Sequence, residues 1–199
     1  MNYIIPGPRK LILLIFLVLF GIFFFIFYPT IIEEVNYVFT YYQGNLIVKR
    51  RVAPKSSEFG IFIPKIYANA VIVSGIDPFD EDAARAALKG GIAHARWSSL
   101  PDLAGNVFLF SHIDSGTFDA NRTNTVFFLI NKLEKGEEID IYYKKELYKY
   151  IVIDKKVLSA SDVDYLSEPK SGKTVTIMTG WPAGTTFKRL LVIGELLEN

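Results

Sequence analysis

The sequence predicts a mainly β domain, an antiparallel barrel or sandwich, carried behind a single membrane-spanning helix. Three observations lead there. An uncharged apolar run stands near the N-terminus, short β-rich runs separated by turn residues fill the chain from Phe59 onward, and only two segments in that part carry a helical pattern. A chain of 199 residues has room for one domain of ordinary size plus an appendage.

The appendage comes first. Leu11 to Ile32, LILLIFLVLFGIFFFIFYPTII, carries no charge. About 22 helical residues at about 1.5 Å each span about 33 Å, close to the hydrocarbon thickness of a bilayer. A cleaved signal peptide would have a shorter apolar core leading into small residues; here Pro29, Thr30, Ile31, Ile32 and Glu33 follow, so residues 11–32 read as a retained signal anchor. Arg9 and Lys10 precede the run, and Glu33 and Glu34 follow it. The positive-inside rule then predicts a single-pass protein of the cell membrane, with residues 1–10 cytoplasmic and the C-terminal domain extracytoplasmic. Tyr28 suits the far interface, where an aromatic ring with a polar tip sits among headgroups.

Residues 33–58 read as a stalk, with polar and aromatic residues mixed without a sustained period and Pro54 near the end. The folded domain is expected over 59–199. Its strands are expected at Gly60 to Ile63, Ala70 to Ser74, Asn106 to Ser111, Glu138 to Tyr143, Leu147 to Asp154, Thr174 to Met178 and Phe187 to Glu195. The span Ile139 to Ile153 reads as a hairpin with Lys144, Lys145 and Glu146 at its tip. One helix is expected at Asp80 to Gly90, from its Asp cap, acidic first turn, alanines, late Lys89 and stopping Gly90. A second is expected from Thr123 to Leu133, burying Val126, Phe127, Leu129, Ile130 and Leu133.

Charged clusters yield little. Capping accounts for Asp77, Asp80, Glu81 and Asp82, and the His112/Asp114 pair lacks the further ligands a metal needs, so no metal site and no cofactor is expected. A net charge of +1 leaves no electrostatic footprint for nucleic acid, and the trio Lys49, Arg50, Arg51 reads as solvated surface. With 0 cysteines the chain has no disulfide, no thiolate metal site and no cysteine chemistry.

The segment Thr174 to Leu196, TVTIMTGWPAGTTFKRLLVIGEL, resembles the active-site strand pair of a sortase. Thr176 and Thr179 form the T-x-x-T pattern, and Arg189 opens the next strand. Gly180 stands where that family has its catalytic Cys. The resemblance extends upstream: IPKIYANAVIVSGI, Ile63 to Ile76, is similar to the first strands of the family barrel, and LKGGIAHARWSSLPDLAGNVFLFSHIDSG, Leu88 to Gly116, to the segment ending at its catalytic His. In order, these pieces cover Phe59 to Leu196. They imply a closed antiparallel β-barrel with one or two short helices.

The resemblance also implies roles. His112, at the end of the apolar run Val107 to Phe110, matches the His that protonates the leaving amine; Arg189 matches the Arg that holds the oxyanion or the substrate carbonyl. Thr179 and Trp181 belong to the substrate-binding part of the motif, although Trp181 fits equally well as a seal on the barrel end. His94 reads as structural or as lining the approach to the cleft. The partners implied are a sorting-signal peptide resembling Leu-Pro-any-Thr-Gly and an amine acceptor on the cell envelope. In the family a thiolate attacks the carbonyl after Thr, an acyl-enzyme forms and the amine resolves it.

Gly180 deletes that covalent route. Thr179 is a poor substitute, because neighbouring strand residues face opposite ways. Binding and charge stabilisation alone leave at most a small residual hydrolysis. The expectation is therefore a transpeptidase lineage with negligible transpeptidation in this chain. Two alternatives stand beside it: a non-catalytic peptide-binding or assembly protein, and a structural extracytoplasmic β-domain in which His112 and Arg189 lie far from residue 180.

Overall fold

The computed structural model describes residues 8–44, 52–111, 126–127, 129–162, 172–183 and 185–198. Successive side chains of a strand point to opposite faces, and here one face is apolar inward while part of the other is apolar under a helix. Among the described residues there are eight strands: β1 (Phe59–Ile63), β2 (Ala68–Ile76), β3 (Ile92–Ala95), β4 (Gly105–Phe110), β5 (Glu138–Tyr143), β6 (Glu146–Ser159), β7 (Lys173–Trp181) and β8 (Lys188–Leu196). They close into a barrel in the order β1-β2-β3-β4-β7-β8-β6-β5, with β5 returning to β1. The expected closed barrel is present. Two of its seams, β2–β3 and β4–β7, are parallel and the others antiparallel.

Inside the barrel Ile61, Ile92, Leu109, Ile141, Ile177 and Val192 pack into one buried cluster. A second cluster lies outside, where Ala93, Ala95, Phe108, Phe110, Met178 and Leu191 meet Ala84, Ala87 and Leu88 of α2 (Glu81–Gly90). A parallel pair cannot be joined by a tight turn, and α2 is the crossover that joins β2 to β3. It starts as the sequence predicts, with the Asp80 carboxylate accepting from the Ala83 N–H at 3.0 Å.

Differences from expectation have local causes. β3 has only four residues, IAHA, and no strand was expected there. β6 runs on to Ser159 because β8 offers it partners as far as Lys188, across an irregularity between Val152 and Asp154. Where a second helix was expected, the described residues form only a 3₁₀ turn, Ile130–Lys132; Leu133 takes extended backbone and carries the chain toward β5, while Thr123, Asn124, Thr125 and Phe128 lie outside the described residues. Phe127, Ile130 and Leu133 are nonetheless fully buried in the inner cluster.

The β5–β6 hairpin turns at Lys144 and Lys145, whose φ values of 51° and 68° are left-handed. Their N–H groups donate to the carbonyls of Glu58 and Ser57 at 3.0 and 2.8 Å, which ties the start of the domain to the hairpin tip. Ahead of the barrel, α1 (Pro8–Gly44) is one helix of 37 residues, about 55 Å long. It is long and apolar enough to cross a membrane, and it continues through Glu33 and Glu34 into the segment read as a stalk.

Candidate functional site

The site is best built from β7, whose residues KTVTIMTGW separate cleanly by parity. Val175 and Ile177 belong to the inner cluster, and Met178 belongs to the outer one. Thr174, Thr176 and Gly180 therefore share the outer face with Met178. On that face the Thr174 and Thr176 hydroxyls both donate to the Asn106 side-chain oxygen on β4, at 3.0 and 2.9 Å. This locks β4 and β7 in register, Asn106 beside Thr174 and Phe110 beside Met178. The spacing of two between the threonines was the signal for it, and it went unread.

At the end of the strand Gly180 pairs with Arg189 on β8. Directly opposed residues of an antiparallel pair present their side chains to the same face, so Arg189 projects from the face on which residue 180 has no side chain. Its guanidinium Nη1 donates to the Thr186 carbonyl at 3.0 Å and to the Lys188 carbonyl at 3.3 Å. Between the strands the chain makes a turn in which the Thr185 N–H and hydroxyl both donate to the Pro182 carbonyl, at 2.9 and 2.7 Å. The turn brings the Thr185 carbonyl oxygen against Gly180, and a Cβ built there would overlap it.

Thr179 pairs with Leu190, is buried, and lies on the inner side of the strand. Trp181 pairs with Lys188 and is partly buried against the inner cluster. β4 runs out beside β7, with the Ser111 N–H donating to the Met178 carbonyl at 3.1 Å. His112 is the next residue and lies outside the described residues, as do Asp114 and the Lys49 to Arg51 trio. Asp77 binds Arg96 at 2.8 Å and also accepts from the Phe79 N–H, so its carboxylate is already engaged.

His94 on β3 is buried at 2% exposure, with its ring 5.5 Å from that of Phe59. Nε2 lies 3.0 Å from the Ser99 carbonyl, an acceptor only, so Nε2 carries the proton; Nδ1 then faces the Ser74 hydroxyl at 3.4 Å as acceptor. Ser98 sits 2.9 Å from Nε2, donates to the Ala95 carbonyl and accepts from the Phe108 N–H. Loss of hydration on burial holds the imidazole below its usual pKa, with the Ser99 carbonyl working the other way. The ring pins the β3–β4 connection to the barrel interior.

Chemically, the outer edge of β7 and β8 offers a fixed cation and a bare glycine. It holds no attacking side chain at residue 180.

A sequence model of the sortase domain matches residues 61–197. Sortase D of Bacillus subtilis strain 168 is 26% identical over 136 residues, 67% of this chain and 60% of that protein, so the chain spans about 60% of the length of that curated relative. The crystal structure of sortase C-1 from Actinomyces oris superposes with a TM-score of 0.58 at 29% identity, covering 71% of this chain and 73% of that one. The Clostridium perfringens sortase D5 transpeptidase shares the fold at 24% identity and a TM-score of 0.57, over 83% of this chain and 93% of that one. With the family model covering most of the chain and the barrel placing Arg189 opposite residue 180, the protein belongs to the sortase family.

Proposed function

We propose that this protein is a membrane-tethered sortase-family domain that holds a sorting-signal peptide along the outer edge of β7 and β8, and that it has negligible transpeptidase activity. The observation that supports the reading is the cross-strand pair Gly180/Arg189: a guanidinium, suited by its chemistry to a peptide carbonyl, pairs with a residue that has no side chain to attack with. Covalent acyl transfer needs an electron pair on an activated nucleophile, and a chain with 0 cysteines supplies no thiolate from elsewhere. Thr179, next in line, is turned to the inner side of β7. His112 is the proposed proton donor to the leaving amine, and Arg189 the proposed holder of the carbonyl. Trp181 and Thr179, on the inner side of β7, are proposed to act on the peptide indirectly, by fixing the strand end beside which it lies.

The proposed acceptor, in the family's chemistry, is an amine of the cell envelope. Anchoring by α1 keeps the domain where exported proteins emerge, and the apolar side chains from Leu11 to Phe25 are exposed, as a lipid-facing helix requires. Arg9 and Lys10 at its start support a cytoplasmic N-terminus.

Titration of the full chain with a sorting-signal peptide tests the reading. Saturable binding without release of a cleaved product is expected, and the Gly180→Cys variant is expected to accumulate a peptide thioester detectable by mass spectrometry. Absence of both peptide binding and thioester formation overturns it in favour of a structural β-domain.

A further inference from the structure

We propose that the turn after β7 is a built-in cover over the residue-180 position, latched by Arg189, and that Gly180 is what allows it to shut. Gly180 is not among the glycines with positive φ, so its backbone is open to any residue and the glycine is not required for conformation. The requirement is space. The Thr185 carbonyl oxygen stands where the first side-chain atom of any other residue would be. Backbone cannot yield as the end of a flexible side chain does, so a larger residue at 180 and this position of the turn exclude each other.

Two sets of contacts define the turn, and the second ties it to β8. Thr185 donates from both N–H and hydroxyl to the Pro182 carbonyl, which fixes the turn internally. Arg189 donates to the Thr186 carbonyl at 3.0 Å, which fixes the turn to β8. A charge-assisted bond of this kind is stronger than a neutral one. The guanidinium thus holds a peptide carbonyl of its own chain, the same chemical group that the peptide-binding reading assigns to it in a substrate. That consequence rests on the proposed function: an incoming peptide must take Arg189 from Thr186, so binding and opening of the turn are one event. Replacing Gly180 by a bulkier residue opens the turn by itself, without peptide.

Hydrogen exchange of the full chain in detergent micelles, with no peptide present, tests the cover separately from peptide recognition. Amides from Thr185 to Arg189 are expected to exchange at least about tenfold faster in Gly180→Ala than in the parent, with Val175 to Met178 and Leu190 to Ile193 unchanged. Arg189→Gln, which adds no bulk and removes only the latch, is expected to accelerate the same amides to a smaller extent. It decides the matter alone should Gly180→Ala not fold. The proposal is overturned if the folded variants keep the parent's exchange in this turn, or if the parent's Thr185 amide exchanges as fast as an unstructured one. A failure of peptide binding would leave these rates untouched.

Discussion

Inside the barrel His94 is a neutral imidazole whose proton sits on Nε2, facing the Ser99 carbonyl. Its pKa lies below the value of 6.5 that it has when solvated, because burial disfavours the cation. The direction of the pH effect follows. Below about pH 6.5 the unfolded chain takes up a proton at this ring that the folded protein takes up only at lower pH, so this residue's contribution to stability falls as the solution is acidified and is constant above that value. Urea unfolding at a series of pH values should show the loss, and His94→Gln should remove this residue's share of the slope between about pH 6.5 and 5. A variant with an unaltered slope would mean that the ring is hydrated. His94 was legible only as a residue with two possible places, since its partners are the hydroxyl of Ser74, 20 positions upstream, and a backbone carbonyl. Gly180 and Arg189 were legible in the sequence from the motif. The Thr185 carbonyl was not, because a backbone oxygen carries no residue signature, and only the folded turn brings it against Gly180.

Among the elements, β5 and β7 were readable because apolar and β-branched residues alternate strongly along them. β3 was not: its outward Ala93 and Ala95 are small because α2 packs on them, and small residues give no strand signal. Parallel seams were equally invisible, since period-two alternation is the same whichever way the neighbour runs. Among the described residues the second helix is absent for a different reason: the apolar spacing at Phe127, Ile130 and Leu133 reflects burial in the inner cluster around a 3₁₀ turn rather than one face of an α-helix. At the β5–β6 hairpin the sequence places lysines where the turn demands left-handed backbone. Asn and Gly are the usual residues there, and each non-glycine residue costs about 1 kcal/mol. Lys145→Gly should therefore raise stability by about 0.5–1 kcal/mol in denaturant unfolding. The Lys145/Glu58 ion pair at 3.7 Å is mostly exposed to solvent, and its loss should not offset that gain. A lower midpoint for Lys145→Gly would show that the tip is held by its side chain instead.

At the scale of the molecule, an apolar helix and a closed barrel divide the chain into a part suited to lipid and a part suited to water. The proposed topology is testable because the chain has 0 cysteines, so any introduced thiol is unique. An impermeant maleimide should label Glu198→Cys on intact cells, and Asn2→Cys only after permeabilisation; the reverse pattern would refute the cytoplasmic N-terminus. The Gly180/Arg189 pair sets a guanidinium, bonded to the Thr186 carbonyl, opposite a residue with no side chain, and the Thr185 carbonyl lies against that residue. The most direct measurement on that account is a ligation assay of the purified parent chain with a sorting-signal peptide and an amine acceptor, followed by mass spectrometry. The account predicts intact peptide, no covalent adduct and no amide product, with an adduct appearing only in Gly180→Cys; ligated product from the parent chain would contradict it.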